Sequence, residues 1–345
     1  MDRRPSGRPA HRRPHHRHPL LRRALLVVPL ACAALLAAAL LGSPVLPAAA
    51  PAAAGEGTRP AAPVSLDTLV EGEGVSPVIV PLGTLRGEAP GTRITAVGLT
   101  YQGVRRAYLV IAPARVRAPL PLVLKLAGSG SEPTYEADRD ELYRLAMQGR
   151  AIVVYPAEQA GSWNLGVDGC CGDAVNPGLD DAGFVLDVLA QARRTLPVLP
   201  GPVRLMGYSG GGKLGYALVC AHPELFRSFT AVAATPLAGC PGPQPPLAFQ
   251  LLVGADDPEL PYKTDPQPAA AVLDRTAVTW RARDRCALPA TVAIGQAATV
   301  VTSACAAGTR VQTVLYGALD HGWPTPRLVG DGASALALFR AFTGL

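Results

Sequence analysis

Five apolar segments separated by amphipathic ones constrain the fold of this chain more than any other feature of its sequence. Each segment is unbroken by polar residues, which is typical of a strand buried on both faces. The strand candidates are residues 121–127, 150–155, 202–207, 228–234 and 247–254. The helical patterns between them cover residues 135–148, 179–194 and 210–221. Strands and helices in alternation predict an α/β domain with a doubly wound, mostly parallel sheet.

Further elements are expected on both sides of this alternation. Residues 94–101 and 106–112 are two β-rich runs joined by a Gln-Gly pair, which predicts an N-terminal β-hairpin. A later strand is expected at residues 310–317 and a last helix near residues 332–342. Because the sequence stops directly after that helix, we expect no second binding module.

The first 54 residues carry the positive charge of the chain. The 345 residues sum to +6, and residues 1–54 hold eight arginines and one acid, Asp2, so they contribute +7 and leave −1 for the remainder. An apolar run at residues 24–42 is followed by two Ala-x-Ala signals that end at Ala50 and Ala54. This pattern predicts a signal peptide cut near Ala54. The alternative is a retained membrane anchor, and the body of the protein is exported on either interpretation.

The near-neutral remainder excludes several classes of protein. A net charge of −1 leaves no basic footprint for nucleic acid. A hydrophobic content of 49% with 17% charged residues excludes a disordered chain. We expect residues 55–93, which are rich in Pro, Gly and Ala, to form a linker, and residues 94–345 to form the folded domain.

Six cysteines remain once Cys32 leaves with the signal, and an even number in an exported chain predicts disulfides. They are Cys170, Cys171, Cys220, Cys240, Cys286 and Cys305. The last two bracket a short segment and are the easiest pair to assign. The first two are neighbours and are not expected to bond each other, so the middle two are their candidate partners. No Cys-x2-Cys repeat occurs and few histidines remain, so no metal site is predicted.

The run Gly207-Tyr-Ser-Gly-Gly211 is the most specific motif in the sequence. It ends a predicted strand and opens a predicted helix, which is the context of a nucleophile elbow. The glycines permit a tight turn that exposes Ser209, and the amide of Gly210 can stabilise an oxyanion. Residues 207–213 also fit most of the pattern of a phosphate-binding loop. Leu214, however, occupies the position where that loop has a Ser or Thr that binds magnesium. We therefore favour Ser209 as a nucleophile.

A nucleophilic serine needs a base, and two histidines remain outside the first 54 residues. His222 lies 13 residues beyond Ser209, at the far end of the same predicted helix. That separation is roughly 20 Å, so His222 cannot reach the serine. His321 follows the last predicted strand and is the expected base. Asp256 and Asp257 follow the strand after the nucleophile unit, and either can hold the imidazole.

Together these motifs resemble a known family. The matching runs are Gly161-Ser-Trp-Asn164, Cys170-Cys-Gly-Asp173, Asp180-Asp-Ala-Gly-Phe184, Gly207-Tyr-Ser-Gly-Gly211, Asp257-Pro-Glu-Leu-Pro-Tyr262 and His321-Gly-Trp-Pro324. Their order resembles that of the secreted α/β-hydrolase esterase family that includes polyhydroxybutyrate depolymerases and feruloyl esterases. The resemblance implies an α/β-hydrolase fold with a catalytic triad of Ser209, Asp257 and His321. On this ground Asp257 is preferred to Asp256.

The chain departs from the family pattern around the expected oxyanion hole. The family has His-Gly before its oxyanion loop, where this chain reads Leu126-Ala-Gly-Ser-Gly-Ser131. The usual Asn after the nucleophile is Gly210, and an apolar residue of the helix is replaced by Lys213. A main-chain amide can still serve, so the amides of Ser129 and Gly210 are the expected oxyanion donors.

The predicted function is an exported carboxylic-ester hydrolase that acts through an acyl-enzyme. Its expected partners are soluble or oligomeric esters, with no cofactor and no nucleic acid, and with the membrane only through the possible anchor. Trp163 and Trp323 are the candidates for walls of the acyl or alcohol pocket. One alternative is a non-catalytic envelope protein that keeps the fold and binds a glycan or lipid. Another is an acyltransferase to a cell-wall alcohol, which shares the same triad.

Overall fold

The computed structural model describes residues 91–159, 161–165, 178–260 and 267–345. All of them belong to the part of the chain that comprises residues 58–345. The predicted targeting segment, most of the predicted linker and the neighbouring Cys170 and Cys171 lie outside the described residues. Among the residues that are described, no helix is both long enough and apolar enough to span a bilayer.

One sheet contains the ten strands of the described residues. They are β1 (Thr92–Tyr101), β2 (Val104–Pro113), β3 (Leu122–Leu126), β4 (Ile152–Pro156), β5 (Val203–Tyr208), β6 (Phe226–Val232), β7 (Ala248–Gly254), β8 (Ala290–Ile294), β9 (Ala298–Ala304) and β10 (Arg310–Tyr316). Their order is β1-β2-β4-β3-β5-β6-β7-β10-β9-β8. The six strands in the middle of the sheet, β4, β3, β5, β6, β7 and β10, are parallel. An antiparallel hairpin extends the sheet at each edge, β1–β2 on one side and β8–β9 on the other. The predicted mostly parallel sheet with an N-terminal hairpin is therefore confirmed.

The helices lie between these strands, largely where the amphipathic pattern predicts them. They are α1 (Pro133–Asp140), α2 (Tyr143–Met147), α3 (Asp181–Thr195), α4 (Gly210–Ala221), α5 (Ala269–Arg283), α6 (Pro326–Val329) and α7 (Ala335–Thr343). The single helix expected at residues 135–148 is instead two short ones. Glu141 adopts a φ of 56° at the end of α1, and this left-handed residue ends the helix.

Apolar side chains cover both faces of the sheet, which explains why the central strands are apolar throughout. Successive residues of β3 illustrate the arrangement, since Val123 and Leu124 belong to two separate buried clusters. Helices α3, α4 and α5 contribute to the first cluster, where the ring of Trp280 stacks on that of Phe249 with 3.9 Å between centroids. Helices α2 and α7 contribute to the second, which includes the fully buried Phe339. Helices on both faces make the sheet doubly wound.

Helix α5 and the β8–β9 hairpin are absent from the sequence prediction. Strand β8 is exposed along nearly its whole length, so it lacks the apolar run that marks the central strands. In α5 the β-branched residues Val272, Thr276 and Thr279 weaken the helical pattern. The β8–β9 hairpin forms the edge of the sheet beyond β10.

The disulfides agree with the sequence prediction in part. Cys286, after α5, is joined to Cys305, after β9, as expected. Cys220 is joined to Cys240, with 5.0 Å between their Cα atoms. The prediction that these two cysteines pair with the neighbouring cysteines near residue 170 is therefore wrong. The last turn of α4 carries Cys220 against the loop that follows β6 and carries Cys240, and this contact makes the pairing local.

Peptide mapping under non-reducing conditions tests this pairing. We expect one linked peptide that joins Cys220 to Cys240 and another that joins Cys286 to Cys305. Replacement of both Cys286 and Cys305 by Ala should lower the free energy of unfolding by about 3 kcal/mol, because the crosslink closes a loop of about 20 residues. A linked peptide that joins Cys220 to Cys170 or Cys171 would contradict the assignment.

Candidate active site

Ser209 occupies the junction between β5 and α4. Its backbone has φ 48° and ψ −118°, a combination that non-glycine residues rarely adopt. The strained turn is held from both sides, since the Ser209 N–H donates to the carbonyl of Val232 at 2.9 Å and the Ser209 carbonyl accepts from the Lys213 N–H at 3.0 Å. The turn places the half-buried Ser209 side chain at the carboxyl ends of the parallel strands. This is the geometry of a nucleophile elbow.

Two glycines permit the turn because neighbouring backbone leaves no room for a Cβ atom. A Cβ on Gly207 would lie 2.5 Å from the carbonyl oxygen of Gly211. A Cβ on Gly211 would lie 2.3 Å from the carbonyl oxygen of Ala127. The start of α4 thus packs directly against the chain that leaves β3. This contact brings the two predicted oxyanion donors together.

His321 lies between Ser209 and Asp257. Its Nε2 atom is 2.9 Å from Ser209 Oγ. Its Nδ1 atom is 2.9 Å from Asp257 Oδ2 and 3.0 Å from Asp257 Oδ1. Asp257 is buried whereas Asp256 is exposed, so the structure brings the first of these carboxylates to the imidazole and leaves the second outside. With Nδ1–H donating to Asp257, Nε2 is free to accept the serine proton.

Backbone hydrogen bonds join the loop that carries Asp257 to the loop that carries His321. The N–H of Asp256 donates to the carbonyl of Leu319 at 3.1 Å. A Cβ on Gly254 would lie 2.0 Å from that same carbonyl oxygen, so the glycine permits the close approach of the two loops. On the other side, the hydroxyl of Tyr208 donates to the carbonyl of His321 at 2.6 Å. The imidazole is therefore positioned through its own main chain.

The amides of Gly210 and Ser129, predicted as oxyanion donors, come from adjacent segments. Gly210 is the first residue of α4, where N–H groups lack partners within the helix. A Cβ on Gly210 would lie 2.4 Å from Ser129 Oγ and 3.5 Å from Ser129 N. The serine hydroxyl thus fills the space beside Gly210. The role of these two amides stays a prediction.

Glu158 holds the loop that contains Ser129. Its Oε1 atom accepts from the N–H of Gly130 at 2.6 Å and from the N–H of Ser131 at 3.1 Å. Burial raises the pKa of Glu158 to about 7, against the opposing effect of these two hydrogen bonds. The carboxylate therefore orients the two residues that follow Ser129 and takes its hydrogen bonds from them.

A buried ionic cluster lies behind the same loop. Lys125 Nζ is 2.8 Å from Glu136 Oε2 and 3.7 Å from Asp140 Oδ2. Glu136 also accepts from Arg139 and, at 3.4 Å, from the N–H of Gly128. Burial would raise the pKa of Glu136, but Lys125 and Arg139 outweigh it and bring the pKa to about 2. An ionised Glu136 is thus fixed beneath the loop.

A cleft of about 580 Å³ opens above Ser209. The described residues that line it are Ser129, Gly130, Ser131, Arg139, Gly161, Tyr208, Ser209, Lys213, Glu259 and His321. Most of these groups are polar or charged. The Arg139 guanidinium lies 4.2 Å from the centre of the Tyr208 ring, and Lys213 lies in the first turn of α4. Burial lowers the pKa of Lys213, while Glu259 and Asp257 act in the opposite sense.

The two tryptophans predicted as pocket walls are buried behind the cleft. Trp163 is 1% exposed, and its indole N–H donates to the carbonyl of Ala127 at 2.9 Å. Trp323 is 3% exposed and meets the Tyr208 ring edge-on, with 5.7 Å between centroids. This corrects the sequence expectation, because both side chains support residues of the site instead of lining the described cleft. Their indoles are large enough that packing against the sheet takes precedence.

Several residues of the site were missed by the sequence analysis. Arg139 and Glu158 lie in no motif that was recognised, and Glu259 lies in the run that begins at Asp257 but was given no role. For Glu259, the one indication in the sequence was its position in the turn that directly follows Asp257. His222 lies at the end of α4 with its Nδ1 atom 3.8 Å from Glu224, away from Ser209 as expected. Among the described residues, no group of His, Cys, Asp and Glu is arranged to hold a metal ion.

Substitution of the two neighbouring glycines tests the packing at the start of α4. Gly211→Ala should lower the free energy of unfolding by about 1–3 kcal/mol, because its Cβ meets rigid backbone. Gly210→Ala is the matched control and should cost less than about 1 kcal/mol, because the Ser129 hydroxyl can rotate away. Urea unfolding followed by circular dichroism measures both. Equal effects would contradict the proposed contact.

The pH dependence of stability tests the environment of Glu158. Its pKa in the folded chain, about 7, lies above the ordinary value of 4.5. The folded state therefore binds a proton more tightly than the unfolded state, and stability falls as pH rises between these two values. Glu158→Gln should flatten the change in thermal midpoint across this range, whereas the exposed Glu132→Gln should not. A Glu158→Gln profile as steep as that of the wild type would contradict the account.

Feruloyl esterases are among the known proteins to which part of this chain is similar. No family model matches the chain. It is 28% identical over 115 residues to a probable feruloyl esterase C of Aspergillus flavus, and 30% identical over 114 residues to feruloyl esterase C of Emericella nidulans. Each match covers 33% of this chain and 38% of the relative, so the chain spans less than half the length of these curated relatives.

Solved structures also include proteins that are similar to this chain. An acetyl xylan esterase from Aspergillus awamori has a TM-score of 0.48 and 13% identity, with 78% of this chain and 98% of that one covered. The sequence relationship to the feruloyl esterases agrees with the motifs on which the resemblance rested. The chain is thus similar to feruloyl esterases over about a third of its length, in agreement with the resemblance of its motifs.

Proposed function

We propose that this chain is a serine carboxylic-ester hydrolase that acts through an acyl-enzyme. One observation carries the proposal: Ser209 Oγ and Asp257 Oδ2 each lie 2.9 Å from a different nitrogen of His321. A hydroxyl, an imidazole and a buried carboxylate in this sequence of contacts supply nucleophile, base and orienting acid. The names of the feruloyl esterase relatives support an ester as the substrate.

In the first step, Ser209 Oγ attacks the ester carbonyl carbon while its proton passes to His321 Nε2. Asp257 accepts the Nδ1–H hydrogen bond and stabilises the imidazolium that forms. The negative charge on the carbonyl oxygen is stabilised by the amides of Gly210 and Ser129. The tetrahedral intermediate collapses, the bond to the alcohol oxygen breaks, and the alcohol leaves with the proton from Nε2. The acyl group remains on Ser209.

In the second step, water attacks the acyl carbonyl and gives a proton to His321 Nε2. The bond to Ser209 Oγ then breaks, Oγ takes the proton back, and the acid product leaves. Side chains and main-chain amides suffice for both steps. The strained backbone of Ser209 and the buried Glu136 beneath the loop keep these groups in place before substrate arrives, so little reorganisation is needed during the reaction.

The cleft favours polar, soluble substrates. Its described walls carry charged and hydroxyl groups, and they lack the aliphatic side chains that would hold a long acyl chain. Feruloyl and acetyl esters of carbohydrates are therefore the first candidates, followed by hydroxyalkanoate oligomers. We also propose export, with residues 1–54 as signal peptide or anchor, since the two disulfides require an oxidising compartment.

Steady-state kinetics test the triad. The purified protein should hydrolyse p-nitrophenyl acetate and methyl ferulate, and Ser209→Ala should lower kcat by at least about a thousandfold. Asp257→Asn should cause a loss of about a thousandfold or more, because the imidazole then takes the wrong tautomer. Asp256→Asn removes a neighbouring exposed charge and should leave kcat within about twofold.

Equal rates for the wild type and Ser209→Ala would exclude the proposed mechanism. A folded wild type that fails to hydrolyse any ester of the panel, and fails to react at Ser209 with a fluorophosphonate, would favour the non-catalytic binding protein. The altered residues Ala127, Gly210 and Lys213 are the sequence features on which that alternative rests.

A further inference from the structure

A second carboxylate approaches the imidazole of His321. Glu259 Oε2 lies 3.4 Å from His321 Nε2, the nitrogen that also faces Ser209 Oγ. The side chain of Glu259 is 55% exposed, whereas that of His321 is 17% exposed. The N–H of Glu259 donates to Asp257 Oδ1 at 2.9 Å, so the backbone of this residue is anchored to the proposed catalytic acid. Glu259 thus lies on the solvent side of Nε2.

The acid–base steps of the proposed triad leave Glu259 without a function. Asp257 already takes the Nδ1–H bond, and in the free enzyme Nε2 accepts the Ser209 proton. A carboxylate accepts hydrogen bonds and cannot donate one, so Glu259 gains nothing from an unprotonated Nε2. It requires a hydrogen-bond donor that arrives during the reaction.

That donor arrives in the second step. Once Ser209 is acylated, Oγ has no proton, and the lone pair of Nε2 faces the incoming acyl acceptor. Water has two O–H groups, so it can donate one to Nε2 and the other to Glu259 Oε2. An alcohol has a single O–H group, and it must donate this group to Nε2. The carboxylate of Glu259 then has no hydrogen-bond donor from the acceptor molecule.

We propose that Glu259 is a positioning residue that selects water over alcohols as the acceptor of the acyl group. This inference rests on the proposed acyl-enzyme function. The oxygen of water forms the new bond to the acyl carbon, one proton passes to Nε2, and the second stays on water while it is hydrogen-bonded to Glu259. The bond to Ser209 Oγ then breaks, and Oγ recovers the proton. Glu259 itself gains and loses no proton.

Cationic side chains line the cleft beside Glu259. Lys213 lines the same cleft, and the carboxylates of Glu259 and Asp257 raise its pKa against the effect of burial. Opposite charges on Lys213 and Glu259 attract each other across the cleft. Arg139 is a further cation among the described lining residues. A charged acceptor binds the hydrogen of water more strongly than a neutral one does.

The partition of the acyl group between water and an added alcohol tests this proposal. The full chain is incubated with p-nitrophenyl acetate and increasing methanol, and the ratio of methyl acetate to acetate is measured by gas chromatography. Both products come from one acyl-enzyme, so a change in folding or in acylation rate does not alter their ratio. Glu259→Leu should raise the ratio about tenfold, as expected for loss of one charge-assisted hydrogen bond.

Matched variants separate position from charge. Glu259→Gln keeps an acceptor oxygen and should raise the ratio by less than Glu259→Leu does. It also serves if Glu259→Leu fails to fold. Asp256→Asn removes a neighbouring exposed carboxylate that does not contact His321 and should leave the ratio at the wild-type value.

Two results would overturn the inference, and they are distinguishable. If Glu259→Leu and Glu259→Gln release p-nitrophenol and give the wild-type product ratio, Glu259 does not select water, although the esterase function stands. If the wild type releases no p-nitrophenol, or if Ser209→Ala releases it equally fast, the proposed function fails and the inference fails with it.

Discussion

The backbone of Ser209 is the constraint on which the rest of the site depends. A residue with φ 48° and ψ −118° costs about 1–3 kcal/mol relative to an ordinary conformation. The cost is offset by strands β3 and β6, which flank β5, and by the contact of Gly211 with the carbonyl of Ala127. A side chain at Gly207 would push α4 away from β5, and one at Gly211 would push α4 away from the chain that leaves β3. The sharp turn is possible because the glycines allow main-chain atoms to contact each other with no Cβ atom between them.

The same contact organises the chemistry around Ser209. Because α4 begins against the loop after β3, the amide of Gly210 lies beside Ser129, and the loop is fixed by Glu158 above and Glu136 below. The ion pair of Lys125 with Glu136 is fully buried, and such a pair adds less to stability than to a unique geometry when every partner is present. Loss of Lys125 would leave Glu136 with Arg139 alone, and loss of Glu136 would leave Lys125 with the more distant Asp140.

A connected set of aromatic and cationic groups extends from this ion pair to the base. Arg139 bonds Glu136 and lies over the ring of Tyr208, and the hydroxyl of Tyr208 donates to the carbonyl of His321. Trp323 packs against the same ring. This explains why a tryptophan that follows the histidine by two residues is buried. It supports the ring that holds the main chain of His321.

The central strands were predictable because burial on both faces makes them apolar throughout. The approach of His321 to Ser209 was predictable because one elbow motif and one reachable histidine fit the expected order. The choice of Asp257 over Asp256 needed the family pattern, since two adjacent carboxylates after a strand are locally equivalent. The structure separates them by burial, with Asp257 toward the imidazole.

The rest depends on contacts between distant parts of the chain. Glu158 reaches Gly130 across 28 residues, and Arg139 on α1 meets Tyr208 at the end of β5. The pairing of Cys220 with Cys240 follows from the way one loop crosses the end of α4. The exposed strand β8 has no apolar run to mark it. Local periodicity contains none of this information.

The covalent state of Ser209 during turnover tests the central claim most directly. The protein is mixed with excess p-nitrophenyl acetate, quenched in acid within the first turnovers, digested and examined by mass spectrometry. We expect an acetyl group on the Ser209 side chain in the early sample. We expect none when the reaction is left to finish before it is quenched. Release of p-nitrophenol with no acyl group on Ser209, or with the acyl group on another residue, would contradict the central claim.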